Sequence, residues 1–295
     1  MMTRFAGVLC AFGAAVTALA ADAPPRFATL DGTRIHYESY GTGKQAVVFI
    51  HGWTCDLTFW RMQAPVYQKH RSLLLDLPGH GMSDKPEISY TQELFARAVD
   101  TVMRDAGVDK AVLVGHSMGT PVALTFLERF PKEVAGIVIV DGFIPQPPKD
   151  AAERQKKAAQ AAEMTKAYRG PEYKSAMDGM LRFMFTEQTP AALQEEIRGK
   201  MLATPQHVLA SAMEGMLALD PPAGIRFDAP AMAVMVKRAS QSGYEGYLRT
   251  LFPNLRSYQA WEGAGHFLMM EQPGKFNTAL NEFLDKFMPA MGDAE

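Results

Sequence analysis

Apolar and polar positions along this chain follow two periods, and the order in which they alternate predicts the architecture. Residues 27–40 alternate about Asp31-Gly32, the signature of two strands joined by a two-residue turn. Apolar runs at 46–50 and 72–75 are too short for helices and read as buried strands. Residues 59–69 and 91–106 carry apolar positions at helical spacing, the second with Thr91 as cap and Gly107 as stop. A strand at 110–114, a helix at 121–130 and a strand at 135–140 follow. Strands alternating with helices predict parallel pairing with helices on both faces of one sheet.

That rhythm stops between 143 and about 225. Pro145, Pro147 and Pro148 mark an exit, and segments 151–168, 171–185, 190–201 and 205–217 all read as helices separated by Gly and Pro. Strand character returns at 231–236 and 255–260, with helices at 244–251 and 273–287. The middle block therefore reads as a helical insertion in an α/β core. Methionines recur through it: Met164, Met177, Met180, Met184, Met201, Met213 and Met216. They predict either packing of the insertion onto the core or a plastic apolar lining above a site.

Composition narrows the function classes. The chain has 295 residues, 47% apolar and 21% charged, enough for one large domain carrying an insertion. A net charge of −2 with no basic stripe argues against a nucleic-acid partner. Residues 1–20 read as a signal peptide: Arg4 supplies the positive start, an apolar stretch follows, and Ala18-Leu19-Ala20 fits a cleavage site. Export to the periplasm or beyond is expected, with no stable membrane insertion after cleavage. Cys10 leaves with that segment, so Cys55 stands alone and no internal disulfide forms. The seven histidines are scattered, and no dinucleotide fingerprint or phosphate-binding loop appears. No metal or cofactor is expected; the chemistry falls to side chains.

One motif supplies a candidate. Gly115-His116-Ser117-Met118-Gly119 follows the buried run Lys110-Ala111-Val112-Leu113-Val114 and precedes a helical stretch. Strand, G-x-S-x-G and helix together describe a turn so tight that the serine is strained and its neighbours must be small. Without that context the motif would be a glycine-flanked turn.

Four segments carry a family resemblance. Val48-Phe49-Ile50-His51-Gly52-Trp53, Asp76-Leu77-Pro78-Gly79-His80-Gly81-Met82-Ser83-Asp84, the Ser117 pentapeptide and Gly263-Ala264-Gly265-His266-Phe267 resemble the α/β-hydrolase fold superfamily in order and spacing. The resemblance implies a mostly parallel eight-stranded sheet, a core formed by 21–142 and 226–295, and a helical cap at 143–225. It implies Ser117 as nucleophile, His266 as base, and an oxyanion hole from the backbone N–H groups of Met118 and Trp53. His51 and His116 fall at positions that are structural in that family, and His80 is expected to tie down its own loop.

The acid departs from the family's common arrangement. Relatives mostly carry it just after the strand that follows the cap, where this chain reads Val236-Lys237-Arg238-Ala239-Ser240-Gln241-Ser242. Asp141 ends the preceding strand, an alternative place used by haloalkane dehalogenases among others. Glu245 is the rival, and Asp228 lies at the wrong sheet edge. The expected chemistry is hydrolysis of small hydrophobic carboxylic esters, lactones or thioesters through an acyl-enzyme. Carbon–carbon hydrolysis of diketones, cofactor-free perhydrolysis and a non-catalytic binding module are the alternatives.

Overall fold

A computed structural model describes residues 25–222, 224–238 and 243–288. The expected signal peptide and Cys10 lie outside the described residues. Eight strands form one sheet: β1 (Arg26–Leu30), β2 (Thr33–Tyr40), β3 (Gln45–Ile50), β4 (Ser72–Leu75), β5 (Lys110–His116), β6 (Val134–Val140), β7 (Ala231–Val236) and β8 (Leu255–Trp261). Their spatial order is β1-β2-β4-β3-β5-β6-β7-β8. β2 is antiparallel to both neighbours and every other pairing is parallel. The first turn is the predicted two-residue one, with Asp31 and Gly32 both at positive φ (48° and 83°), the geometry that matches strand twist.

Burial follows strand position. All of β4 and β7 is buried, and in β3 only Gln45 is exposed. Such continuous apolar runs mark strands covered on both faces. The helices doing the covering have the predicted signals: over Gln92–Asp105 the Thr91 hydroxyl accepts from the Leu94 N–H, and Gly107 follows at φ 67°.

One predicted helix is corrected. Residues 59–69 form a 3-10 segment, Leu57–Gln63, and then a single α-turn, Ala64–Tyr67. The Asp56 carboxylate caps the first piece through the Thr58 N–H, and Pro65, which lacks an N–H, is accommodated at the start of the second. Apolar spacing alone did not separate the two.

Between β6 and β7, which are adjacent in the sheet, the chain makes four helices: Ala151–Arg169, Tyr173–Met184, Ala191–Leu202 and Gln206–Leu217. The first is polar nearly all round and buries only Tyr168, whose ring meets Trp53 edge-on at 5.0 Å. The segment thus touches the core through the loop that follows β3. No described helix is long and apolar enough to cross a membrane.

Candidate active site

The loops after β3, β5, β6 and β8 converge at one edge of the sheet, and three residues there hold backbone conformations that L-residues rarely adopt. Thr54, Ser117 and Asp141 have φ of 57°, 52° and 41° respectively. Each such residue costs about 1–3 kcal/mol and persists only where its surroundings enforce it.

At Ser117 the enforcement is visible. The Ser117 N–H donates to the Val140 carbonyl at 3.0 Å, and the helix Gly119–Arg129 starts two residues later. A side chain at Gly115 would collide with the Gly119 carbonyl, and one at Gly119 with the Ile50 carbonyl. At Gly52 a Cβ would sit 3.0 Å from His116 Nδ1 and 3.1 Å from the Ser117 Cβ. The three glycines let β3, β5 and the helix close around the serine. Gly119→Ala is expected to destabilise the fold by about 1–3 kcal/mol, read as a lower urea midpoint at unchanged slope.

Asp141 sits at the end of β6 with its side chain fully enclosed. Its Oδ2 accepts from His266 Nδ1 at 2.6 Å and from Arg238 Nη2 at 2.8 Å. Its Oδ1 accepts from Arg238 Nη1 at 2.8 Å and from the Val236 N–H at 3.0 Å. Burial opposes ionisation, but hydrogen bonds and charge from His266 and Arg238 outweigh it and hold the carboxyl well below the usual carboxylate range. Of the two sequence-level acids, the structure brings Asp141 to His266. Glu245 instead pairs with Arg249 one helical turn on, at 2.7 Å, in partly exposed surroundings.

His266 is held by its backbone from two sides. Its N–H donates to the Met184 carbonyl at 2.7 Å, and its carbonyl accepts from His116 Nε2 at 2.9 Å. Below it Glu271 Oε2 accepts the Gly265 N–H at 2.7 Å. Glu271 was missed from sequence; the only signal was a carboxylate five residues beyond the histidine. Ser117 and His266 line the same cavity, and among the described residues no hydrogen bond joins the serine hydroxyl to the imidazole.

Trp53 lines that cavity, Met118 follows Ser117 in the chain, and both are buried. Neither backbone N–H has an acceptor among the described residues, which leaves two donors beside Ser117. The Trp53 indole donates to the Leu209 carbonyl at 2.9 Å, tying this loop to the inserted helices.

The other histidines of these motifs are architectural. His51 donates from Nδ1 to the Gly52 carbonyl (2.8 Å) and accepts at Nε2 from the Leu77 N–H (3.0 Å), a neutral imidazole bridging two loops. His80 contacts the Pro78 carbonyl through Nδ1 at 3.0 Å. Most of the anchoring expected of His80 belongs to Asp76, whose carboxylate accepts from His36 Nδ1 and from the Leu57 and Met82 N–H groups. Burial pushes His80 and His116 down to about 3. Both fold neutral but bind protons when unfolded below the usual histidine range, so stability is full above about pH 6.5 and falls as pH drops toward 3. Between pH 7.5 and 4.5 a loss of roughly 2–5 kcal/mol is expected in urea unfolding.

The cavity is about 1470 Å³ and reaches from Ser117 into the inserted helices. Met164, Met180, Met184, Met201, Met213 and Met216 line it, whereas Met177 is buried outside it. Met201 and Met213 both line the cavity and pack in the buried core, so the two readings of the methionines overlap. Among the described residues no group of three or more His, Cys, Asp or Glu is placed to hold a metal ion.

A family model described as the alpha/beta hydrolase family matches residues 47–279. The chain belongs to this family. The match spans both the β3 loop and the His266 loop, so all the site segments fall within it. Within the family's wider kin, the chain is 26% identical over 286 residues to a dihydrolipoyllysine-residue acetyltransferase component of an acetoin cleaving system from Cupriavidus necator, covering 88% of this chain and 68% of that one. It is 28% identical over 272 residues to a 2-hydroxy-6-oxononadienedioate/2-hydroxy-6-oxononatrienedioate hydrolase of Klebsiella pneumoniae, covering 85% and 91%. A thermophilic esterase from Thermogutta terrifontis superposes with TM-score 0.76 at 24% identity, over 90% of this chain and 99% of that one. That last likeness supports the alpha/beta hydrolase fold alone. The chain is a hydrolase by family.

Proposed function

We propose that this hydrolase cleaves carboxylic esters, lactones or thioesters of small hydrophobic acids through an acyl-enzyme on Ser117. The observation that carries the proposal is the 2.6 Å contact between His266 Nδ1 and a buried, ionised Asp141, at the rim of the cavity that Ser117 also lines. With Nδ1 bonded to the carboxylate, Nε2 is the nitrogen free to take the serine proton. Ser117 Oγ then bonds to the substrate carbonyl carbon while the N–H groups of Met118 and Trp53 receive the negative oxygen. The protonated His266 returns its proton to the leaving alkoxide, and the ester bond breaks. His266 then takes a proton from water as the water oxygen bonds to the acyl carbon; the acyl–Oγ bond breaks, His266 returns the proton to Ser117 Oγ, and the acid leaves. His266 and Ser117 make their hydrogen bond with substrate in place; such contacts commonly tighten only then.

The methionine lining supports apolar acyl groups, because an unbranched thioether packs against many shapes. In this reading residues 143–225 are a cap over the 21–142 and 226–295 core. Residues 1–20 are a cleaved leader, and N-terminal sequencing of exported protein is expected to begin at Ala21. Purified mature protein assayed on p-nitrophenyl esters, lactones and diketones tests the proposal. Turnover of esters or lactones supports it. Activity confined to diketones would replace it with carbon–carbon hydrolysis, the second reading, which the name of the Klebsiella pneumoniae relative favours.

A further inference from the structure

We propose that Arg238 is a positioning residue that sets the pH at which His266 becomes a competent base, an inference that rests on the Ser117–His266–Asp141 reading above. Arg238 stands two residues past the end of β7, and Asp141 directly follows the neighbouring strand β6. Asp141 reaches back toward β7, taking the Val236 N–H on Oδ1 at 3.0 Å. The Arg238 fork then closes on both carboxylate oxygens at 2.8 Å.

The geometry has two consequences for the imidazole. Oδ2, the oxygen that receives His266 Nδ1 at 2.6 Å, is shared with Arg238 Nη2. The carboxylate is thus pinned in the plane that faces His266, since a planar fork fixes orientation as well as distance. Its charge is also divided: a guanidinium on the same oxygen weakens the pull on an imidazolium and adds like-charge repulsion to it. Among the described residues, the other groups facing His266 are these. The His116 ring from β5 lies tilted by 45° at 4.7 Å between ring centroids, and Glu271 from the following helix holds Gly265. From the inserted helices the contact is the Met184 carbonyl. Arg238 is the cation tied to the shared carboxylate, and its side chain is one-third exposed toward the cavity, so solvent tempers its effect without abolishing it.

The test is a histidine-labelled NMR titration of the full protein, with the His266 resonance assigned by its loss in His266→Ala. Labelling of Ser117 by a fluorophosphonate is followed over the same pH range. In Arg238→Gln the His266 titration midpoint is expected to rise by about one pH unit or more, with the half-maximal labelling pH rising in parallel. Arg238→Lys keeps the charge and gives up the fork, so a rise of about half a unit is expected; it serves if the glutamine variant does not fold. A midpoint that stays within about 0.3 unit, or falls, in whichever of the two variants folds overturns the proposal. If the midpoint rises as stated but no serine ever labels, the coupling stands and the hydrolase reading fails. A labelling serine with an unmoved midpoint refutes the coupling alone.

Discussion

Ser117→Ala is expected to remove ester hydrolysis by a factor of about 10⁴–10⁶ in kcat, with KM changed little. The hydroxyl is the atom that bonds to the carbonyl carbon, so nothing else in the cavity substitutes for it. Cys55 lines the same cavity but burial raises its thiol well above the ordinary range, which keeps it protonated and poorly nucleophilic. The fold should survive. Alanine fits the space of serine, and the strained backbone at φ 52° is imposed by Gly115, Gly119 and the Val140 carbonyl, none of which the change touches. A thermal midpoint within a few degrees of wild type, together with lost turnover, is the expected pair of results. Retained turnover above about one per cent of wild type would place the nucleophile elsewhere.

Asp141→Asn should cost about 10⁴ in kcat, and Glu245→Gln less than about twofold. The asparagine keeps the shape but presents an amide where the site needs four acceptor contacts: His266 Nδ1, two from Arg238 and the Val236 N–H. Whichever way the amide turns, an NH₂ faces a donor. If it faces His266, the imidazole must accept at Nδ1, and Nε2 then carries the proton that catalysis needs it to lack. Glu245 has its own partner in Arg249 and no contact with the histidine loop among the described residues. Steady-state kcat/KM on a single p-nitrophenyl ester separates the two acids. A severe loss in Glu245→Gln with a mild one in Asp141→Asn would reverse the assignment.

Much of the fold is legible in the amino-acid sequence, and the reasons are physical. Fully buried strands such as Ala231–Val236 announce themselves as unbroken apolar runs, and amphipathic helices such as Pro273–Phe287 by their stripe and their opening proline. The residues 59–69 misread shows the limit of spacing, since a 3-10 segment and an α-turn share much of one pattern. At the site, Ser117, His266 and Asp141 stood in motifs or at strand ends. Arg238 was legible only as a missing carboxylate, because a bidentate fork depends on where two loops meet, 97 residues apart in sequence. The backbone contacts that fix His266 and Trp53, through Met184 and Leu209, leave no trace in residue identity at all.

Intact-protein mass spectrometry after exposure to a fluorophosphonate addresses the central claim most directly. The account predicts one adduct per chain, located on Ser117 by peptide mapping, absent in Ser117→Ala and formed at least about 10³-fold more slowly in His266→Ala. A folded wild-type protein that stays unmodified, or carries its adduct on another residue, would contradict it.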